Sequence, residues 1–498
     1  MTLSLTEWCP SGQQPTVYDM SEPERWDALL AEYAHERAAA PLQRVFDIAR
    51  AHGVVCIVKE PRYIDADWRS QVARFYNGAF RRYPSVCHRL HFFTTHVDPN
   101  LGDLSGVQEA YRGYTVLRPL AVAPVGRTMI VPPPELADAV RCEGEETIDL
   151  YGWPLTVRAM PFISQDTQLL RCAHASAWMV LRHATMVHQQ PTRLPAEIYD
   201  AALGGVVVGR QLPSDGLSSH QLLSALTSLG LSPTSKALPA TPEAQAAAGG
   251  LGLFAVLCRY INSQLPPIVI SNSHAWTIVA YERKPSPGNP AITLWRHDDA
   301  SGPYLRVEDP WHEPSPAHSP WAAAHLPLLP KAYIDAERAE AVGRTWVSQF
   351  ALSPSYEGST LAETDSRPAF LEQSTLRTYL VQSSIFKREL RSRGMPDELA
   401  APLRRAEMSR YLWVIEVVDR KARTEGNPDV LGEILLDATL TQFEPQTDPS
   451  AITAFHLDSV GWISGIDGAD HTLLSLPSGV RYRTGCPPLA SAAASEDA

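Results

Sequence analysis

Residues 164–183, SQDTQLLRCAHASAWMVLRH, constrain this chain more than any other stretch. An irregular polar run, QDTQLLR, gives way to a helical pattern at Cys172. Ala173, Ala175 and Ala177 follow and keep that helix thin. It can then pack tightly against its neighbours and leave a thiol at a cleft wall. The N-terminus of a helix carries partial positive charge, which favours a thiolate. Taken alone, a Cys in this setting is more often a buried core residue than a nucleophile.

Two strand signals later in the chain change that balance. PPIVISNSHAWTIVAY puts His274 at the opening of a strand, on one face with Trp276, Ile278 and Ala280. A His there can reach a cleft and act as the base for a thiol; a hydrogen-bonded His at a sheet edge is an equal alternative. The loop ERKPSPGNP leads to AITLWRHDD, whose Ile292, Leu294, Arg296 and Asp298 share a face. A carboxylate on a neighbouring strand can hold an imidazole in the required tautomer. Asp298-Asp299-Ala-Ser-Gly-Pro is also good turn chemistry, and Asp309 in EDPW is a weaker rival for the same role.

Gln165 and Gln168 both precede Cys172. Either amide, with the Cys172 N–H, suits an oxyanion, although isolated Gln side chains mostly face solvent. Neighbouring strand residues alternate sides, so His297, Asp298 and Asp299 are poorly placed to share one metal ion. His174 lies about 200° round the helix from Cys172 and is not expected to be its base. His183 and His188 read as helix-surface residues, and His220 belongs to a capped helix start, GLSSHQ.

Taken in chain order, Gln, Cys, His and Asp resemble the papain-like cysteine peptidases, closest to the subgroup of bacterial leader-peptide-processing peptidases. The resemblance rests on Cys172-Ala173-His174-Ala175, on His274-Ala275-Trp276-Thr277-Ile278-Val279-Ala280-Tyr281, and on Asp298 followed four residues later by Gly302. GLSSHQLLSALTSLGL resembles the helix that these peptidases place between Cys and His. The resemblance implies an α+β domain in which a Cys-bearing helix packs on an antiparallel sheet bearing His and Asp. It implies Cys172 as nucleophile, His274 as base, Asp298 as the group orienting it, and Gln165 with the Cys172 amide as oxyanion donors. It implies a peptide or protein substrate, with no cofactor and no metal. Ala173 stands where Gly is commoner, and the Gln165–Cys172 spacing is one residue longer than the pattern, while Gln168 is too near.

With 498 residues the chain exceeds one ordinary core. Changes of texture suggest an N-terminal accessory α+β region (1–155), a papain-like domain (156–325), a C-terminal accessory α+β region (326–485) and a disordered tail (486–498). In the first region LHFF at 90–93 reads as a buried strand, Arg127 as a surface residue, and Gly152-Trp153-Pro154 as a hairpin turn. The Pro-rich run 310–320 reads as a linker or clamp. The C-terminal region reads as helices with at least one strand, GEILLDATLT being another strand candidate.

The net charge of −12 argues against nucleic acid as a partner. No apolar run approaches the roughly 20 residues a membrane helix needs. Seven cysteines without a CxxC pair suggest reduced thiols, and MTLSLTEWCPSGQQ has no secretory pattern, so a cytoplasmic protein is expected. The accessory regions are candidate surfaces for a protein partner. The expected function is therefore a cysteine peptidase or isopeptidase, with an acyltransferase using the same triad, or a catalytically silent scaffold, as alternatives.

Overall fold

Strand-forming runs between residues 16 and 130 pair in chain order into a five-stranded antiparallel sheet: Thr16–Asp19, Cys56–Tyr63, Cys87–Phe93, Tyr111–Leu117 and Val125–Ile130. Cys87–Phe93, which contains LHFF, is its middle strand and is buried throughout. Asp65 caps the helix Ala66–Arg74 by accepting the Trp68 N–H at 2.8 Å. That helix sends Trp68 and Val72 into a core with Cys56, Val58, Tyr114 and Met129.

The structure is a computed structural model. It describes residues 5–8, 14–35, 38–98, 100–102, 104, 106–204, 214, 216–238, 252–271, 274–284, 291–307, 321–352, 373–420, 429–441, 451–457, 460–466, 469–477 and 479–486. The Pro-rich run 310–320, Asp309 and tail residues 487–498 lie outside them. Contacts divide the chain into two units. The first takes Met1–Ala244, Pro266–Ala280 and Thr293–Pro327; the second takes Gln245–Leu265, Tyr281–Ile292 and Leu328–Ala498.

Arg127 is not the surface residue expected of it. Its side chain is 13% exposed and pairs with Asp65 at 2.9 Å, with Asp67 and Glu146 within 3.8 Å. Three converging carboxylates make burial of the guanidinium tolerable. The hairpin Gly144–Leu150/Trp153–Ala159 turns at Tyr151-Gly152, both with positive φ (51° and 93°). Two such residues suit the tight turn that matches strand twist, and Gly takes the second place without strain.

The sheet that organises the candidate site runs Gly302–Val307, Ala291–Asp298, Ala275–Lys284, Ile268–Ile270, Ala323–Leu326, Thr234–Ala237, with Val140–Arg141 also paired to Ala275–Lys284. The helix Cys172–His188 buries Ala173, Ala175, Ala177, Trp178 and Met179. Its small residues permit close approach, and at Gly144 on the neighbouring strand an added Cβ would collide with Met186. His183 and His188 are buried, contrary to the surface expectation. Helices Pro195–Leu203 and Ser219–Ser228 and the strand Gly144–Leu150 all pack on this helix, so it has little free face. Ser218 caps Ser219–Ser228 in a reciprocal box with Gln221.

The second unit holds a six-stranded antiparallel meander, Ser374–Gln382, Tyr411–Asp419, Val430–Asp437, Ile452–Leu457, Val460–Ile466 and Ala469–Ser475, in chain order. It is richer in strand than its sequence texture suggests. The helix Asp397–Arg405 packs Leu399, Ala400 and Leu403 against Leu412, Val414 and Leu435. Cys486, the first residue of the expected tail, is buried. The protein is thus a mixed α+β chain. Among the described residues no helix is long and apolar enough to cross a membrane.

Candidate active site

Cys172 is the first helical residue after Arg171, which is still extended at φ −109°, ψ 176°. Its N–H is therefore one of the first-turn donors with no partner inside the helix. Cys172 is also the one partly exposed cysteine among those described; Cys56, Cys87, Cys142, Cys258 and Cys486 are buried. Burial pushes the Cys56, Cys87 and Cys142 thiols up, away from reactivity.

The loop before Cys172 is braced from both sides. Asp166 Oδ1 accepts the N–H groups of Gln168, Leu169 and Leu170 at 2.8–2.9 Å. Buried Arg118 donates to the Ser164 carbonyl at 3.1 Å and to the Gln165 carbonyl at 3.5 Å. Thr167 takes a left-handed φ of 62° in the turn. Gln165 is half-buried on this loop, and its backbone is held while no hydrogen bond of its side chain joins it to Cys172 or His274. Gln168 is tied through its carbonyl to the Ser214 N–H at 2.8 Å. The geometry thus links neither Gln side chain to the thiol.

His274 stands at the mouth of its strand, with its N–H on Ser271 Oγ at 3.1 Å and its carbonyl accepting the Ser271 N–H at 2.9 Å. Its side chain is 11% exposed. Nε2 lies 3.1 Å from Asp298 Oδ1 and 3.4 Å from Asp299 Oδ1. Nε2 thus faces the carboxylates, and the Cys172 side chain is among the groups that act on the ring. Burial opposes the charged ring. The hydrogen bonds to Asp298 and Cys172 and the charges of Asp299 and Asp298 outweigh it, raising the pKa from 6.5 to about 10.

Asp298 ends its strand at a register irregularity between Arg296 and Asp298, opposite Gly302. Gly302 has φ 126°, and a Cβ there would lie 2.6 Å from Arg44 Cβ, so the turn depends on glycine. The Asp298 carboxylate accepts the Ala300 N–H at 2.9 Å and the Trp276 indole N–H at 3.2 Å. Burial pushes its pKa up, but the His274 bond and charge, the Ala300 N–H and Arg296 together take it down to about 2. Trp276 supports the cluster further. Its ring meets His274 edge-on at 5.0 Å, and the Arg296 guanidinium sits over it at 4.9 Å. Alternation along the two strands already placed Trp276 with His274 and Arg296 with Asp298, and that is the signal from which their supporting roles can be read.

Asp299 is a different kind of neighbour. Its side chain is fully buried, and neither oxygen has a hydrogen-bond partner in another residue. Burial and Asp298 raise its pKa to about 7 against the pull of His274. The adjacent His297 turns away between Phe162 and Tyr304, at ring separations of 5.6 and 4.5 Å. The cluster that converges is instead His274, Asp298 and Asp299, with donor atoms within 4.8 Å of one another. His174 accepts the Arg171 N–H at 3.4 Å and stacks on Tyr199, away from the thiol. His220 is exposed.

A half-exposed thiol at a helix start, an imidazole between it and a carboxylate, and unpaired helix N–H groups beside the sulfur can support attack on a carbonyl carbon. No protein-family model matches the chain, and no curated protein matches it in sequence.

Proposed function

We propose that this protein is a papain-like cysteine hydrolase that cleaves a peptide or isopeptide bond through Cys172, His274 and Asp298. One observation carries the reading: His274, whose Nε2 sits 3.1 Å from Asp298, is held charged in part by the side chain of the partly exposed Cys172. An imidazolium held in that way favours thiolate at the neighbouring sulfur. Sulfur attacks the carbonyl carbon, and the oxygen takes up the negative charge. The Cys172 N–H donates to that oxygen. His274 gives its proton to the leaving amine as the C–N bond breaks, leaving a thioester. Water then attacks the thioester, passing a proton to His274, and the acid departs as the thiolate returns. Asp298 keeps its charge and aims the ring throughout. Attack by an amine in place of water would make the same site an acyltransferase. Reduced thiol is required in every step, which suits a cytoplasmic protein.

The test is labelling of the full chain by a thiol-directed electrophile across pH, with the modified residue mapped. The reading expects Cys172 to react well below the pH at which an ordinary thiol does, and His274→Ala to slow it by about 10² or more. A Cys172 no faster than a free thiol, indifferent to His274→Ala, would instead make the fold a silent scaffold.

A further inference from the structure

Three side chains of the site converge more tightly than a triad requires. A thiol, an imidazole and one carboxylate complete the proposed chemistry, yet a second carboxylate lies against the same ring nitrogen. Asp299 has no exposed side-chain surface and no hydrogen-bond partner for either oxygen in another residue. A buried carboxylate without hydrogen bonds, whose one positive neighbour is a ring it shares with Asp298, is costly unless further positive charge reaches it. Asp298, by contrast, is oriented by Trp276 and by the Ala300 N–H, so its free lone pairs point in a set direction. Such outer bonds are what metal-ligating carboxylates characteristically have.

The separations fit a small ion. A tetrahedral zinc with ligands about 2.05 Å away sets neighbouring donor atoms about 3.3 Å apart. The two measured edges that meet at His274 Nε2 are 3.1 Å to Asp298 and 3.4 Å to Asp299, and the third lies within 4.8 Å. One nitrogen and two carboxylate oxygens, with a fourth position open, are a donor set that zinc accepts.

We infer that His274, Asp298 and Asp299 form an inhibitory binding site for a divalent cation of the zinc type. The inference rests on the proposed function in that the cation captures the ring that serves Cys172. A cation on Nε2 replaces the carboxylates as that nitrogen's partner and prevents the ring from forming an imidazolium. The thiol then loses its charged neighbour and the leaving group loses its proton donor. Cys172 is not a ligand, because the donor atoms that converge within 4.8 Å are those of His274, Asp298 and Asp299.

The experiment titrates chelator-treated full chain with zinc chloride by calorimetry, and with cobalt chloride by absorption. Expected are one zinc per chain, affinity unchanged in Cys172→Ala, and a loss of at least about tenfold in Asp299→Asn. His274→Gln serves as a second ligand variant should Asp299→Asn not fold, and circular dichroism reports the fold of each. The cobalt complex should lack a sulfur-to-metal charge-transfer band. Zinc should slow Cys172 labelling in wild type and spare it in Asp299→Asn. No stoichiometric zinc, wild-type affinity in both ligand variants, or a sulfur band would each overturn the site. The two proposals fail separately. Slow, His-independent labelling with intact zinc binding removes the hydrolase and keeps the metal site, whereas fast labelling that is indifferent to zinc does the reverse.

Discussion

Each unit of this protein buries a cluster of charged side chains, and the two clusters are built on opposite plans. In the second unit Glu416 lies under the meander with every need met. It accepts from Arg377 at 3.0 Å, Arg393 at 3.2 Å, Tyr379 at 3.3 Å, Thr484 at 2.7 Å and the Gly485 N–H at 2.9 Å. Arg393 also binds Glu433. Two guanidinium groups face two carboxylates, and little of the set reaches solvent. In the first unit His274 faces two carboxylates, one of them without a partner of its own, and opens towards a half-exposed thiol. A charge-balanced network around a fully hydrogen-bonded carboxylate fixes a structure, even with Arg377 Nη2 and Arg393 Nη1 left without hydrogen bonds. An acid-rich one beside a nucleophile holds a proton where chemistry can use it.

Replacing residues in each cluster should separate the two plans, most sharply at the thiol. Cys172→Ala should abolish labelling at that site, and His274→Ala should cut its rate at pH 6 by about 10²–10⁴, the span of a positioned acid or base. Neither should lower the urea midpoint by as much as a change in the other cluster. There, Glu416→Ala leaves Arg377 and Arg393 short of a counter-charge and should destabilise the second unit by about 3–5 kcal/mol. Cys172 in the folded variant should label as in wild type. A Glu416 variant that unfolds at the wild-type urea concentration would erase the contrast.

The sequence exposes the reactive half of this comparison better than the charge-balanced half, for a physical reason. Cys172, His274 and Asp298 each sit at the end of an element, where a local pattern marks the position. A helix starts at Cys172, a strand opens at His274, and a strand stops at Asp298 opposite Gly302. Asp299 against Asp298 is decided by a register irregularity and a turn, which no alternation rule encodes. Arg127, His183 and His188 look like surface residues because exposure depends on what packs from far along the chain. Arg127 meets Asp65 and Glu146, and the helix of His183 is covered by three later or earlier elements. Arg377, Glu416 and Arg393 lie in three separate segments: strand pairing sets Arg377 opposite Glu416, and a turn after the helix Ser383–Glu389 brings Arg393 to the same carboxylate. The hydrophobic meander reads in part as helix because short apolar runs have no decisive period. Gln165 is the member that neither sequence spacing nor geometry attaches to the thiol.

Acid–base linkage offers a finer cut between the clusters. His274 holds its proton to about pH 10 in the folded protein, against 6.5 for an ordinary imidazole. A raised pKa adds stability that is fully present below 6.5 and is lost as pH climbs through about 10. Wild type should therefore lose stability relative to His274→Gln across that window, with a slope of at most about 1.4 kcal/mol per pH unit. Asp298, lowered to about 2, works in the other direction: its contribution stands above 3.8 and disappears as pH falls towards 2. Paired urea titrations at several pH values read both. A flat wild-type-minus-variant difference from pH 6.5 to 10 would mean that His274 is not held as an imidazolium.

The smallest expected effect belongs to Trp276, which aims Asp298 without touching the thiol. Trp276→Phe keeps an aromatic edge against His274 and a face beneath Arg296, and removes only the indole N–H that Asp298 Oδ2 accepts at 3.2 Å. One such bond contributes about 0.5–1.5 kcal/mol, so Cys172 labelling should slow roughly threefold to tenfold. The carboxylate keeps its charge, so the pH limbs of the labelling profile should stay in place while the plateau drops. That combination separates aiming from charging: Asp298→Asn, which removes the charge, should shift the upper limb downward as well. A Trp276→Phe plateau equal to wild type would assign the aiming of Asp298 to Ala300 and His274 alone. The orientation of Asp298 would then be as over-determined as that of Glu416.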